Sequence, residues 1–454
     1  MKQNPSTGDL MISVSGIRGK IPEGLYLENI LLYTNSFIET LNPKSVVIGR
    51  DSRPSGLFME QIITGILLSK GIHVTQIGIV PTPTLKAVVN ATKASGGIMI
   101  SASHNPIVWN AFKFVGKNGL FFNQAQISSL IDFANKKNFS PPKFLPKSEL
   151  KQNSREFIQL HIDSVLARVD VPKIKKKKFK VFLDAVNGGG SEVVPMLLDR
   201  LGCKVEKLYC EPGGIFPRGP EPTPLTLSKT ARAMKKTNAD IGFALDPDAD
   251  RLVLLTPERG CISEEYTLPL SIFSALPNSK TTNVVINLST SFITEEIIEP
   301  YNKKLIRSKV GESNVVGDMQ KTHAFFGGEG NGGVIDPEIN SYGRDSLSGI
   351  AHILNMLAYE NTKIDRKLDT MPEIFMDKKA FSIKGKDLNS IFDKLKNRYR
   401  YAKPDTRDGL WLGLIDGWLH VRASNTEPII RVIAEAKRKE DLDRIFQEVT
   451  GLLN

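Results

Sequence analysis

The stretch Ile241-Gly242-Phe243-Ala244-Leu245-Asp246-Pro247-Asp248-Ala249-Asp250-Arg251 runs from an apolar segment straight into three carboxylates at alternate positions. Its apolar half reads as a buried strand, and its acidic half as the loop at that strand's carboxyl end. Three like charges this close repel one another unless a cation sits among them, and all-oxygen ligands select a hard ion such as Mg²⁺, Ca²⁺ or Mn²⁺. Arg251 adds an anion-binding guanidinium, which points to phosphate chemistry. A solvated Asp-rich turn is the plainer alternative. An EF-hand is excluded, because the Gly and Glu required at the sixth and twelfth positions of such a loop are here Arg251 and Pro257. A phosphatase with Asp246 as nucleophile stays open, since it too would place Asp-x-Asp after a strand.

Upstream, the same alternation of short apolar strands and helical patterns recurs, as in parallel α/β folds. Strands are predicted over 45–49, 74–80 and 97–101, with helices over 55–70 and 84–94. Polar motifs follow the strands' carboxyl ends, where open α/β sheets collect ligands: Arg50-Asp51-Ser52-Arg53, Pro81-Thr82-Pro83-Thr84 and Ser101-Ala102-Ser103-His104-Asn105-Pro106. The pattern restarts after a Lys/Pro-rich stretch, with a helix over 154–166, strands over 181–184 and 204–209, and helices over 191–201 and 225–236. A third unit has a strand over 283–287 and helices over 293–301 and 346–359. The tail differs: strands over 380–383, 410–414, 418–422 and 429–434, with helices over 388–398 and 441–453, make an α+β module. The expected domains are 1–150, 151–258, 259–368 and 369–454, three similar mixed α/β domains plus a C-terminal α+β domain.

The chain has 454 residues, ample for several cores, and an ordinary composition of 41% hydrophobic and 24% charged residues. No signal-peptide pattern or bilayer-length apolar run is present, so a cytoplasmic protein without a membrane partner is expected. Cys203, Cys210 and Cys261 are too few and too scattered for a disulfide framework or a zinc site. The net charge of +11 allows nucleic acid as a partner. The densest run, Lys173 to Lys180, lacks interleaved aromatics and reads as a solvated linker or strand edge. No nucleic-acid-binding signature accompanies it. No heptad run or other assembly signal indicates an oligomeric state.

Three further loops carry polar groups suited to chemistry. Ser103 follows a strand beside His104, yet adjacent residues of extended backbone point apart and the Gly-x-Ser-x-Gly elbow is absent, so a serine-hydrolase triad is not supported. A serine that exchanges a phosphoryl group beside a metal and cations needs no such elbow. Gly327-Gly328-Glu329-Gly330-Asn331-Gly332-Gly333 sets a carboxylate and an amide among five glycines. Glu329 could accept hydrogen bonds from vicinal sugar hydroxyls. Arg422-Ala423-Ser424-Asn425-Thr426-Glu427-Pro428-Ile429-Ile430-Arg431 gathers donors able to cradle a phosphate. Each alone could be a polar turn. Together a serine, a metal site, a sugar-binding carboxylate and a phosphate clamp describe phosphoryl transfer on a sugar phosphate.

These motifs, with Ser15-Gly16-Ile17-Arg18-Gly19 and Asn110-Ala111-Phe112-Lys113, resemble in order the α-D-phosphohexomutase superfamily, which includes phosphoglucomutases, phosphomannomutases and phosphoglucosamine mutases. The resemblance spans essentially the whole chain. It implies four domains around a central cleft, Ser103 phosphorylated in the resting enzyme, and Mg²⁺ bound by that phosphoserine, Asp246, Asp248 and Asp250. It implies conversion of hexose 6-phosphate to hexose 1-phosphate through a hexose 1,6-bisphosphate, which is intermediate and activator. Catalytic roles would fall to Ser103, Arg18, His104 and Lys113, with no general base assigned. Substrate contacts would come from Arg251, Glu329, Asn331, Arg422, Ser424, Asn425, Thr426 and Arg431.

Some positions depart from the family's common forms. Ile12-Ser13-Val14 stands where many members have Phe-Gly-Thr, Pro247 and Ala249 replace two glycines of the metal loop, and Asn331 replaces a common Ser. The third loop and Lys309-Val310-Gly311-Glu312-Ser313-Asn314-Val315 resemble the subgroup acting on glucosamine phosphate. A phosphoglucosamine mutase is therefore expected, with a phosphomannomutase or phosphoglucomutase as the alternative and a metal-dependent sugar-phosphate phosphatase behind both.

Overall fold

The computed structural model describes residues 10–143, 147–152, 154–279, 281–339, 341–382, 387–423 and 429–453. The chain gathers into two compact units, Met1–Ser279 with Asn331–Arg366, and Lys280–Gly330 with Lys367–Asn454. Among the described residues no helix is long and apolar enough to cross a membrane.

The first unit holds two sheets. In the seven-stranded one, Ser45–Arg50 pairs in parallel with His73–Ile79 and Gly96–Ile100, while Trp109–Gly116 runs antiparallel between Gly96–Ile100 and Gly16–Lys20. Alternation along these strands decides what faces the core. Ile17, Phe112 and Phe114 enter an apolar cluster with Phe37 and Phe122, so Arg18 and Lys113, one residue away, project from the opposite face. The Phe37 ring stacks at 5.4 Å on Phe114 and 5.7 Å on Phe122. Burying each ring contributes about 2 kcal/mol.

The second sheet orders its strands as Gly260–Cys261, Leu252–Thr256, Ile241–Leu245, Lys180–Asp184 and Lys204–Leu208. Ile241–Leu245 is parallel to Lys180–Asp184 and antiparallel to Leu252–Thr256. Both sheets are mixed, as expected, and the antiparallel members are Trp109–Gly116 and Leu252–Thr256, which no predicted strand covers. Each of these returns directly from a polar loop, which makes a crossover helix unnecessary. The predicted helix over 225–236 contracts to Ser228–Met234.

The lysine run is corrected as well. Val171–Lys177 is a helix, capped by the Asp170 carboxylate, which accepts from Lys173 N at 3.0 Å, with Pro172 in its first turn. Ile174 is fully buried, and Lys173 Nζ lies 3.4 Å from the Tyr359 ring centroid. The run is a packed helix whose lysines face outward, not a linker.

In the second unit Asn283–Asn287 pairs in parallel with Lys304–Ser308 and Phe326–Glu329. The tail is a five-stranded antiparallel sheet whose helices Leu388–Arg398 and Lys439–Leu453 share its apolar core. Its edge strand, Phe375–Ser382, starts earlier than the predicted 380. Asp377-Lys378-Lys379 masked it, although charge on an edge strand is a usual guard against further pairing.

His420, fully buried in strand Gly417–Ala423, sits 2.8 Å from Ser289 Oγ and 2.7 Å from the Asp408 carbonyl. Burial pushes its pKa down to about 4 despite the Asp408 carbonyl. The unfolded imidazole takes a proton near pH 6.5. Between those values the unfolded state binds the extra proton, so stability present above pH 6.5 is lost as pH falls toward 4. Acidifying from pH 7 to 5 is expected to cost about 2 kcal/mol at this residue. Thermal unfolding at the two pH values should show His420→Gln with a shallower acid sensitivity, and an unchanged slope rejects the assignment.

Candidate active site

The aspartate loop joins two buried strands, and its turn is made by Ala249 at φ +51°. Asp246 Oδ1 accepts from the backbone N–H of Asp250 at 3.1 Å and of Arg251 at 3.2 Å, which folds the loop over its own first carboxylate. Behind it the chain is packed without side-chain space. A Cβ at Gly188 would lie 2.5 Å from the Pro247 carbonyl, to which Gly189 N donates at 2.7 Å. Asp246, Asp248 and Asp250 are all fully buried, which excludes a solvated turn. Each offers an oxygen within 4.8 Å of the others, and Asp248 Oδ1 and Asp250 Oδ1 have no hydrogen-bond partner. Buried carboxylate oxygens left so are costly, and the set fits a hard divalent cation.

Ser103 reaches this loop from the first sheet. Its backbone is left-handed, φ +49°, rather than extended, so the alternation argument does not govern its direction. Ser103 N donates to Ser101 Oγ at 3.0 Å, and Ser101 Oγ donates to Asp51 Oδ2 at 2.6 Å. The fully buried Arg53 guanidinium pairs with Asp51 and donates to the carbonyls of Ser103 at 2.8 Å and Asn105 at 2.5 Å. So held, Ser103 Oγ donates to Asp246 Oδ2 at 2.8 Å. Lys113 Nζ pairs with Asp248 Oδ2 at 2.5 Å, and Arg18 Nη1 donates to Asn105 Oδ1 at 2.5 Å. Arg251 Nη1 pairs with Glu221 at 3.0 Å.

The electrostatics follow from crowding. Burial, then the charges of Asp250 and Asp248, push the Asp246 carboxyl well above the usual carboxylate range. Burial would raise Asp248 too, but the Lys113 ammonium and the hydrogen bonds from Lys113 and Thr82 outweigh it and hold Asp248 low. Burial and the guanidiniums of Arg251, Arg18 and Arg344 drive the His104 imidazole down to about 2. It is neutral, its Nδ1 has no hydrogen-bond partner, and Ser103 bonds to an aspartate instead. A serine–histidine nucleophile is excluded on geometry.

The other expected contacts fall elsewhere. In the second unit Glu329 is buried, and its Oε1 accepts from Asn287 Nδ2 and Gly311 N, both at 2.8 Å. Val310 N donates to Asp408 Oδ2 at 2.9 Å, and Asp408 Oδ1 lies 3.1 Å from the Arg422 guanidinium. Arg422 and Arg431 stand opposite each other on adjacent strands. Ser424, Asn425 and Thr426 lie outside the described residues. Asn331 belongs to the first unit, where its buried Oδ1 has no hydrogen-bond partner. After it the chain presses on the aspartate strand: Leu252 N donates to Gly332 O at 3.0 Å, and a Cβ on Gly332, at φ +85°, would meet that residue's carbonyl at 2.3 Å.

Several residues of the site carry no assignment from sequence. Thr82 donates its hydroxyl to Asp248 Oδ2, Arg344 pairs with Asp250 Oδ2, and Asp51 and Arg53 brace the serine loop. Thr82, Asp51 and Arg53 lie in polar motifs after strands, which is a usable signal. Arg344 has none, since only folding brings it across 94 positions to the aspartates.

A buried serine facing three carboxylates, with a lysine and arginines around them, is an arrangement suited to phosphoryl transfer. The chain matches the phosphoglucomutase/phosphomannomutase family in all four of its domains: alpha/beta/alpha domains I, II and III over residues 10–141, 159–260 and 268–375, and the C-terminal domain over 376–452. It is 35% identical to a phosphoglucomutase/phosphomannomutase of Thermococcus kodakarensis, over 87% of this chain and 86% of that one. It is 31% identical to a phosphoglucosamine/phosphogalactosamine mutase of Sulfurisphaera tokodaii, over 98% and 99%. A crystal structure of a phosphoglucomutase/phosphomannomutase family protein from Burkholderia thailandensis superposes with a TM-score of 0.84 at 25% identity, covering 98% of each chain. The chain belongs to the phosphoglucomutase/phosphomannomutase family and is a phosphohexomutase, an enzyme of the isomerase class.

Proposed function

We propose that this phosphohexomutase interconverts glucosamine 6-phosphate and glucosamine 1-phosphate through a phosphorylated Ser103 and a hexosamine 1,6-bisphosphate. The observation that carries the reading is the 2.8 Å bond from Ser103 Oγ to Asp246, inside a set of buried carboxylates with hard-cation chemistry. Mg²⁺ is the proposed ion, held by Asp246, Asp248, Asp250 and the phosphoserine; when bound it supplies Lewis-acid polarisation of the phosphoryl oxygens.

In the first transfer the bond from phosphorus to Ser103 Oγ breaks and a bond from phosphorus to the free sugar hydroxyl forms. In the second, the reoriented bisphosphate returns its other phosphoryl group to Ser103. The serine loop is rigidly braced by Arg53, so Oγ is presented in one position for both directions. Arg18 and Lys113 offset the charge that spreads over the equatorial oxygens. His104, neutral at any physiological pH, carries no charge for this purpose. The proton lost by the attacking hydroxyl is balanced by the one that Ser103 Oγ takes up as its bond to phosphorus breaks, while Lys113 stays an ammonium beside them. Arg251 holds phosphate beside the ion, Glu329 and Asn331 hold sugar hydroxyls, and Arg422, Ser424, Asn425, Thr426 and Arg431 clamp the phosphate that is not transferred.

Glucosamine is preferred because relatives named phosphoglucosamine mutase match nearly the full chain, among them that of Methanococcus vannielii at 31% identity over 98%. The relative named for glucose and mannose phosphates supports those sugars as the second reading. Offering the purified protein, with Mg²⁺ and a trace of hexose 1,6-bisphosphate, the 1-phosphates of glucosamine, glucose and mannose in parallel is expected to give the highest kcat/KM for glucosamine. A higher value for another sugar moves the assignment to it, and no turnover of any sinks the mutase mechanism.

A further inference from the structure

Two segments distant in sequence grip the aspartate loop, one through Thr82 and the other through Arg344 and Ser346. In the first segment Thr82 N donates to the Asp248 carbonyl at 2.9 Å and its hydroxyl to the Asp248 carboxylate. In the second Arg344 pairs with Asp250, and Ser346 N donates to the Ala249 carbonyl at 3.3 Å. Thr84, two residues beyond Thr82, and Asp345, next to Arg344, turn instead toward one buried side chain. His161 Nδ1 lies 2.9 Å from Thr84 Oγ1, and His161 Nε2 lies 2.8 Å from Asp345 Oδ2. The His161 ring is fully buried and Asp345 nearly so.

Asp345 is itself immobilised. Its Oδ1 caps helix Ser346–Glu360 by accepting from Leu347 N at 2.9 Å and Ser348 N at 3.4 Å, and Oδ2 also accepts from Ser341 Oγ at 3.1 Å. The contacts close a ring that runs from Asp248 through Thr82, Thr84, His161, Asp345 and Arg344 to Asp250. His161 joins the two flanking segments through both of its ring nitrogens, across 77 and 184 positions of sequence, and Lys86 Nζ adds a longer link between them by donating to the Tyr342 carbonyl at 3.3 Å. It touches neither aspartate.

From this we infer that His161 is a positioning residue for the metal loop: by tying Thr84 to Asp345 it keeps the Thr82 and Arg344 contacts at the separation in which Asp248 and Asp250 converge. The inference rests on the reading of the three aspartates as a cation site. Such outer contacts set how closely the ligand oxygens are pre-arranged, and losing one commonly weakens metal affinity tenfold or more. The same unit contains a chemical twin outside the ring. His352 Nε2 lies 2.9 Å from Asp336 and its Nδ1 3.1 Å from Ser274 Oγ.

The test titrates metal-free full-length protein with Mn²⁺ and reads the free ion by electron paramagnetic resonance, with thermal unfolding as a second measurement. Wild type is expected to bind one ion per chain at this site and Asp246→Asn none; no binding to wild type, or unaltered binding to Asp246→Asn, defeats the cation-site reading itself. With that reading intact, His161→Asn is expected to bind Mn²⁺ about tenfold more weakly. Thr84→Val, a near-isosteric change, should weaken binding in the same direction, and the double variant should be little weaker than His161→Asn alone. His352→Asn should lower the unfolding temperature comparably while leaving affinity within about twofold, since it lies outside the ring. Wild-type affinity in both His161→Asn and Thr84→Val, or an equal loss in His352→Asn, overturns the role assigned to His161.

Discussion

Replacing Ser103 by alanine is expected to lower mutase turnover by about four orders of magnitude or more, because in the proposed mechanism Ser103 is the group that carries the phosphoryl moiety between sugar positions. The fold should survive the change. Arg53 grips the loop through the backbone carbonyls of Ser103 and Asn105, which alanine retains, and Ser101 still accepts from the backbone N–H of residue 103. Serine at φ +49° already bears the cost of a Cβ in the left-handed region, and alanine, with the same Cβ, adds little to it. The measurement is conversion of hexosamine 1-phosphate to the 6-phosphate in a coupled assay, alongside release of inorganic phosphate. Hydrolysis persisting in Ser103→Ala would favour the rival phosphatase with Asp246 as nucleophile.

Asp246→Asn is the second large effect, and it should split stability from activity. Asp246 already sits well above the ordinary carboxylate range, through burial and two neighbouring carboxylates. An amide of the same shape can accept from Asp250 N and Arg251 N at Oδ1 and present Nδ2 to Ser103 Oγ, so the loop's hydrogen bonds persist. One buried like charge disappears. The metal-free variant should therefore unfold a few degrees above metal-free wild type, by about 1 kcal/mol, as is common when a strained functional group is neutralised. Turnover should fall by about 10³-fold or more, since an amide is a poor ligand for a hard cation. Excess Mg²⁺ should raise the wild-type midpoint and leave the variant where it is. An equal Mg²⁺ shift in both proteins would remove Asp246 from the ligand set.

How much of this was legible beforehand differs from element to element. Strands Asn283–Asn287 and Leu410–Leu414 and helix Leu388–Arg398 lie where periodicity and their flanking turn residues place them. The lysine helix was hidden because one buried Ile174 among like charges gives no stripe, although Asp170 and Pro172 are an available start signal. Strand Trp109–Gly116 was not predicted at all, and its antiparallel pairing with Gly96–Ile100 is likewise a finding of the structure. Lys113 could be named as a site residue, but its place opposite Phe112 and Phe114 is what turns it toward Asp248.

The donor and acceptor types of the site were determined by sequence alone, because they are local: three alternate carboxylates after an apolar strand offer the all-oxygen set that suits a hard cation, and Ser103, Glu329 and Arg422 bring their own groups, whereas the burial that excludes a solvated turn came from the fold. Which groups meet was decided only by the tertiary structure. Ser103 finds Asp246 across 143 positions, Lys113 finds Asp248 across 135, and His161 finds Asp345 across 184. The physical reason is that these bonds depend on how sheets and helices pack, and packing is set by the apolar faces of many elements at once, none of which carries information about the polar groups it will bring together.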